Sequence, residues 1–254
     1  MTPRARTALL AVAGLALLVP AARVMLALPG FGSPTATGYA DAVNALGPAA
    51  RQVANQVSAV NFDFRGFDTL GEEFMLLCAV TGAVLLLRGG RGEDLTVKAG
   101  RLEGRPHEPR SDAVILASRL LGPLTLLFGL YVGLHVTVTP GGGFQGGVIA
   151  ASGLLLIYLG EGYTVWRKLV RSKVMDAIEG GGALLFGLAA LAPVALGLPV
   201  LQNILPYGTF KGMMSGGLML VENAGVFFAV TGGFAQLFIE FLEETRAAKS
   251  EIEG

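Results

Sequence analysis

Charged residues are scarce in this chain, and their scarcity argues against a soluble globular domain. Asp, Glu, Lys and Arg make up 15% of the 254 residues, against about 25% in ordinary soluble domains. Hydrophobic residues make up 52%, and the mean hydropathy is +0.60. The formal net charge is zero, so the chain lacks the basic surplus that binds nucleic acid.

Cysteine and histidine are also nearly absent, which limits the chemistry available to the chain. The single cysteine, Cys78, allows no intrachain disulfide and no cysteine metal site. The sequence has no Ser/His/Asp set, no histidines at metal-ligand spacing and no haem motif. We therefore expect a protein that is not an enzyme and that uses neither a metal site nor a cofactor.

Long apolar runs are the dominant feature of what is present. About 20 helical residues cross the roughly 30 Å hydrocarbon layer of a membrane, and six runs approach that length. The sequence predicts an all-α, polytopic transmembrane bundle of about six helices in the cell membrane. The predicted spans are residues 7–28, 69–87, 113–138, 144–165, 178–198 and 213–239.

Lys and Arg residues are concentrated in alternate connections between these spans. They cluster before the first span, at 88–112, at 166–177 and after the last span. This positive-inside pattern predicts that both termini are cytoplasmic. Arg4 and Arg6 before the first run are also compatible with a signal peptide, but Pro20 and Arg23 interrupt the run and no clean cleavage site follows.

Breaks in composition suggest two modules. Residues 1–95 are predicted to form a two-helix transmembrane unit with a long outer loop, and residues 113–254 a four-helix domain. Between them, residues 96–112 have the glycine and mixed charge of a cytoplasmic linker.

A glycine-rich turn, PGGGFQGG, lies between the third and fourth predicted spans. No Lys followed by Ser or Thr completes a phosphate-binding loop and no strand precedes the turn, so we expect no nucleotide ligand. Small residues four positions apart allow helices to pack closely, and a loop lining an ion entry is the alternative. The motif comprises Pro140, Gly141, Gly142, Gly143, Phe144, Gly146 and Gly147.

Glu222 is the main candidate for ion chemistry. It lies nine residues into the predicted last span, roughly 14 Å deep at about 1.5 Å per residue, and a carboxylate there is costly unless neutralised or paired. Asn223 is a possible hydrogen-bonding helper. The alternative is a structural ion pair, for which Arg119 in the third span is a possible partner.

His135 and Glu73 complete the ion-pathway candidates. His135 lies near the outer end of the third span and titrates near neutral pH, although packing is the alternative. Thr69 and Glu72 match a capping box, which leaves the neighbouring Glu73 unexplained. Glu179, at the edge of the fifth predicted span, is expected to be solvated.

Two motifs carry a resemblance to a known family. Around TPGGGFQGGVIAAS the sequence resembles the B subunit of Mrp-type multisubunit sodium/proton antiporters, and residues 113–244 match that module's four-helix layout. Separately, NFDFRGFDTLGE looks like a motif near the C-terminal end of the large antiporter subunit, a segment that is a small separate subunit in related membrane-bound hydrogenases.

The resemblance implies an accessory membrane subunit that assembles with other antiporter subunits, with sodium and protons as the transported species. A membrane-arm subunit of a complex-I-like or hydrogenase-type redox pump is the first alternative, and a structural bundle or stand-alone channel is the second. The family commonly has a His three residues before the motif's proline, whereas His135 stands five before Pro140. Transfer of a role to His135 is therefore weaker than to Pro140 and the glycines.

Overall fold

The computed structural model describes residues 3–28, 37–90 and 111–250, and its regular structure in these ranges is helical. The predicted linker lies outside the described residues up to residue 110. The helices are α1 (Pro3–Ala27), α2 (Gly38–Arg51), α3 (Gln56–Ala59), α4 (Gly66–Gly90), α5 (Asp112–Leu134), α6 (Gly143–Glu161), α7 (Tyr163–Leu169), α8 (Ser172–Leu191) and α9 (Met219–Ser250). A π-helical turn, Val60–Phe64, follows α3, and a 3₁₀ turn, Ala192–Leu196, follows α8.

The prediction of six membrane-spanning helices is confirmed. Within the described ranges, α1, α4, α5, α6, α8 and α9 are each long and apolar enough to cross a bilayer. The orientation of the termini stays a prediction from the distribution of Lys and Arg, and the domain boundaries at 95 and 113 stay predictions as well.

Several predicted span boundaries are wrong: the third span ends at Leu134 rather than at residue 138, and the fifth begins at Ser172 rather than at residue 178. Glycine explains two further differences. The last span begins at Met219 rather than at residue 213, because Gly216 and Gly217 have φ angles of 90° and 63°, outside the helical region. The fourth span ends at Glu161 rather than at residue 165, because Gly162, with φ 79°, separates it from α7.

The described chain divides into two compact units, residues 1–42 and 43–254. The first contains α1, whose described side chains are all exposed and apolar over most of its length. In the second unit α9 is the central helix and packs against α8, α6 and α4, while α5 packs mainly against α6. Of the functional candidates, Glu222 and Asn223 lie on α9 and Glu73 lies on the adjoining α4.

Glycines set the distances between these helices. A Cβ added at Gly146 of α6 would lie 2.7 Å from the Gly129 carbonyl oxygen of α5, closer than any real side chain is found. On another face of α6, a Cβ at Gly147 would lie 2.7 Å from Val230 of α9. Because lipid is as apolar as the helices, such close van der Waals packing is what holds transmembrane helices together.

Two adjacent glycines on α8 provide a matched test of this packing. We expect Gly182→Ala to lower stability by about 1–3 kcal/mol, because its Cβ would meet the Gly225 carbonyl oxygen of α9 at 2.5 Å. Gly181→Ala should be neutral or stabilising by up to about 1 kcal/mol, since nothing lies within 4 Å of its added Cβ. Thermal unfolding of both variants in detergent checks this, and equal effects would contradict the packing assignment.

Candidate functional site

Asn223 joins three helices at the end of the bundle that contains the glycine turn, hereafter the turn end. Its side-chain oxygen accepts a hydrogen bond of 2.6 Å from the Gly143 backbone N–H at the start of α6. Its side-chain nitrogen donates one of 2.9 Å to the Gly133 carbonyl near the end of α5. Asn223 is therefore a structural clamp on the turn, with its amide used on both sides.

Asn55, which the sequence analysis did not select, holds the other side of the turn. Its side-chain nitrogen donates to the carbonyl oxygens of Val136 at 2.8 Å and Thr139 at 2.9 Å, and its oxygen caps α3. The loop carbonyls that follow α5 are thereby paired inside the protein, as irregular backbone near a membrane requires. The sequence shows Asn55 only as a polar residue within the long predicted outer loop, which does not indicate this role.

Glu222 precedes Asn223 but has none of its partners. It is only 1% exposed, and neither carboxylate oxygen has a hydrogen-bond donor among the described residues. Because α9 starts at Met219, Glu222 lies in the first turn of the helix, so the predicted depth of roughly 14 Å is wrong. The residue is buried by protein near the turn end rather than lying at mid-helix.

Asp63 connects Glu222 electrostatically to a pocket at the turn end. The two acids interact as like charges. Asp63 accepts a 2.8 Å hydrogen bond from the Arg51 guanidinium and a 3.4 Å bond from the Tyr207 hydroxyl, and all three line a pocket of about 510 Å³. Burial opposes the charge of Arg51, but its hydrogen bond and attraction to Asp63 outweigh burial and raise the pKa of Arg51.

A second buried acid pair lies between α4, α8 and α9. Glu73 is 1% exposed and both of its carboxylate oxygens lack a partner among the described residues, as does one oxygen of Glu179. The Glu179 carboxyl group acts on Glu73 as a like charge, and the exposed Asp176 does so on Glu179. The expectation that Glu179 is solvated is wrong, because α8 begins at Ser172 and places it two turns inside the helix.

The capping box predicted for Thr69 and Glu72 is also wrong. Helix α4 begins at Gly66, upstream of Thr69, and the Thr69 hydroxyl donates a 2.6 Å hydrogen bond to the Asn61 carbonyl instead of capping the helix. Glu72 is exposed. The buried member of this acidic segment is Glu73, which faces the bundle.

Polar side chains continue along α9 towards its other end. Gln236 is fully buried and donates hydrogen bonds to Ser172 at 2.8 Å and to Glu240 at 3.0 Å, while its own side-chain oxygen is without a donor in the described part of the chain. One turn later, Glu243 accepts hydrogen bonds from Tyr163 and Arg167. These residues were not predicted from the sequence, although the spacing of Glu222, Gln236 and Glu240 follows one face of a helix.

We call these groups the acid column: Glu222, Glu73, Glu179, Gln236 and Glu240. The eighteen residue steps from Glu222 to Glu240 extend about 27 Å along α9, close to the roughly 30 Å of a bilayer core. Carboxyl and amide oxygens spaced in this way can bind and release protons or monovalent cations at successive depths. Two of the predicted ion-pathway residues, Glu222 and Glu73, are thus buried within the bundle without hydrogen-bond partners among the described residues.

Arg119 and His135 are placed elsewhere. Arg119 of α5 forms an ion pair with Glu161 at 2.5 Å, because the antiparallel α6 ends beside it, so it is not the partner of Glu222. His135 follows α5, and its ring nitrogen lies 2.8 Å from the Tyr131 carbonyl oxygen while its ring stacks near Tyr131. Arg119 thus contacts α6, and His135 contacts its own helix α5.

Sequence comparison identifies relatives of the four-helix part. A family model described as a domain related to the MnhB subunit of Na⁺/H⁺ antiporter matches residues 113–236. The B subunit of the Na⁺/H⁺ antiporter of Bacillus subtilis is 30% identical over 132 residues, which cover 50% of this chain and 90% of that protein.

Two solved structures share the fold over nearly the whole chain. A chain of the membrane-bound sulfane sulfur reductase, an archaeal respiratory membrane complex, superposes with a TM-score of 0.71 at 24% identity, covering 93% of this chain and 98% of that one. A chain of the Mrp complex from Dietzia superposes with a TM-score of 0.66 at 21% identity, covering 94% of this chain and 26% of that one.

Neighbouring positions 222 and 223 should respond in opposite ways to neutral substitution. Asn223→Ala leaves the Gly143 N–H and the Gly133 carbonyl without their partner, so we expect stability to fall by about 1–3 kcal/mol. Glu222→Gln removes a charge that has no donor to lose, and stability should be unchanged or higher. Thermal unfolding in detergent at fixed pH compares them. A marked loss with Glu222→Gln would mean that the carboxylate is a structural partner.

Proposed function

Because the chain belongs to the MnhB family of Na⁺/H⁺ antiporter subunits, we propose that it is an accessory membrane subunit of an Mrp-type multisubunit cation/proton antiporter. Its partners are the other membrane subunits of that complex and the lipid bilayer. The chain contributes to ion transport and catalyses no covalent chemistry. Sodium ions and protons are the transported species, and no cofactor is used.

The observation that carries this proposal is the acid column. A structural subunit has no use for buried carboxylates without partners, since each costs several kcal/mol when ionised in an apolar setting. Glu222 and Glu73 are 1% exposed and their oxygens lack partners among the described residues. A transported cation or proton supplies the missing charge, so the column contributes to the ion pathway.

The glycine turn and the division of the chain into two modules also support the proposed function. Gly143 and Gly147 admit α9 to close contact with α6, which positions Glu222 beside the turn. We propose that residues 1–95 and 113–254 are two modules joined by the linker at 96–112. The start of the family match at residue 113 supports the second boundary.

We expect Glu222→Gln to reduce sodium-dependent proton movement by at least about tenfold in vesicles containing the assembled complex. The substitution retains shape and removes the exchangeable charge, and tenfold corresponds to about 1.4 kcal/mol of lost stabilisation. Fluorescence quenching of a pH probe after sodium addition measures the movement.

Asp112→Asn is the control, because Asp112 is an exposed acid at the start of α5, away from the column. It should retain normal transport. Co-purification of the other subunits establishes that both variants assemble. Normal transport by an assembled Glu222→Gln complex would reduce Glu222 to a scaffold residue and remove it from the pathway.

A redox-driven ion pump is the second candidate for the complex to which this chain belongs. The superposition with the sulfane sulfur reductase chain covers 98% of that chain, so the same six-helix organisation occurs as a separate chain in a respiratory complex. At 24% identity this likeness concerns the fold alone.

Purification of the native complex through a C-terminal tag on this chain separates the two candidates. We expect mass spectrometry to identify membrane antiporter subunits and no subunit that binds iron–sulfur clusters or flavin. An antiporter does not transfer electrons, whereas a redox pump needs such subunits. Stoichiometric recovery of a cluster-binding subunit would assign the chain to the redox class.

A further inference from the structure

The pair Glu73 and Glu179 has a chemical setting that differs from that of Glu222. Glu73 extends from α4 and Glu179 from α8, and each lies seven residues beyond the first residue of its helix. Glu179 acts on Glu73 as a like charge and Asp176 acts so on Glu179, while three of the four oxygens of Glu73 and Glu179 have no hydrogen-bond partner in the described part of the chain. Two such groups in an apolar setting are not stable when both are ionised.

The helices around the pair supply no fixed cation to neutralise it from their described side chains. Those of α4 and α9 include no Lys, Arg or His, and α8 has one cation, the exposed Lys173 at its start. The other titratable carboxyl groups on these helices and on the adjoining π-helical turn include Asp63, Asp68 and Glu243, which are paired with Arg51, Arg65 and Arg167. The remaining described carboxyl groups are Glu72, Asp176, Glu222 and Glu240.

A glycine on α9 makes room for the Glu179 carboxyl group. A Cβ added at Gly233 would lie 3.3 Å from a Glu179 carboxylate oxygen and 3.2 Å from a Val80 methyl group of α4. A larger side chain at position 233 would therefore press on this carboxyl group. Gly232 in turn allows the α8 backbone at Glu179 to approach α9 closely.

The surroundings favour a proton over a sodium ion. Sodium sites in transporters commonly use carbonyl oxygens of unwound helices, whereas Glu73 and Glu179 lie in continuous helices whose carbonyls are engaged. Nearby polar side chains are also engaged: the Thr69 hydroxyl donates to Asn61, and the Thr231 hydroxyl to Phe227. A proton needs only one carboxylate oxygen.

We propose that Glu73 and Glu179 form a proton-binding acid pair within the membrane-spanning bundle, separate from Glu222, with Gly233 providing the space for the Glu179 carboxyl group. The proton, taken from water at one end of the acid column, binds to a carboxylate oxygen of one partner and leaves the other available as an acceptor. The pair deepens the proposed function and rests on it for its physiological role, but the binding of the proton stands independently.

Labelling with dicyclohexylcarbodiimide tests the pair directly. This apolar reagent modifies carboxyl groups that are protonated within a membrane, and peptide mapping by mass spectrometry locates the adduct on the purified native complex. We expect an adduct on Glu73 or Glu179, loss of that adduct at alkaline pH, and no protection when sodium chloride replaces choline chloride. Absence of an adduct on both residues, or strong protection by sodium, would overturn the proposal.

Variants establish which carboxyl group reacts. Glu73→Gln and Glu179→Gln should each abolish the adduct at the substituted position, whereas Glu72→Gln, at the exposed neighbouring position, should leave labelling of the pair unchanged. Loss of labelling at the pair in Glu72→Gln would contradict the assignment. If a variant fails to assemble, the labelling of the wild-type complex still decides the proposal.

The two proposals fail separately. Labelling of the pair in a complex without sodium-dependent proton movement would retain the proton site and remove the proposed function. Sodium-dependent movement in a complex whose pair is never labelled would do the reverse. Labelling of Glu222 alone would assign proton binding to the turn end and contradict a separate pair.

Discussion

The close approach of α9 to α6 and α8 is the constraint on which the rest of the bundle depends. Glycines make it possible: a side chain at Gly143 would collide with the Asn223 backbone, and one at Gly225 with the backbone of α8. In lipid this contact replaces the hydrophobic effect as the source of cohesion. It also fixes α9 as the helix around which the acid column is arranged.

Close packing and buried charge are consequences of the same arrangement. When α9 is held between its neighbours, its inward face is removed from both water and lipid, and so are Glu222 and Gln236 on that face. Small residues at the contacts leave space beside these side chains, as at Gly233, where a larger residue would press on Glu179. The glycines thus hold the bundle together and also accommodate the carboxyl groups.

The number of membrane-spanning helices could be predicted from the sequence, but which side of each helix is buried could not. Six apolar runs of spanning length required six helices, because only helices satisfy the backbone of such runs in lipid, and this prediction is confirmed. The start of the last helix was missed because Gly216 and Gly217 adopt positive φ, which the apolar pattern does not reveal. Glu179 was misjudged for a related reason: its burial depends on contact with α9, a relation between distant residues that hydropathy along the chain does not contain.

The distribution of ion pairs argues that the central acids are not part of the scaffold. Three acids near the ends of the second unit are paired with arginines: Asp63 with Arg51, Glu161 with Arg119 and Glu243 with Arg167. Between these ends, Glu73 and Glu179 have no such partner on the described side chains of the helices around them. A fixed arginine there would neutralise the acids permanently and at a lower cost than leaving them unpaired. Under the proposed function, neutralisation is left to a mobile charge, which is the property that a step in ion movement requires and a structural contact does not.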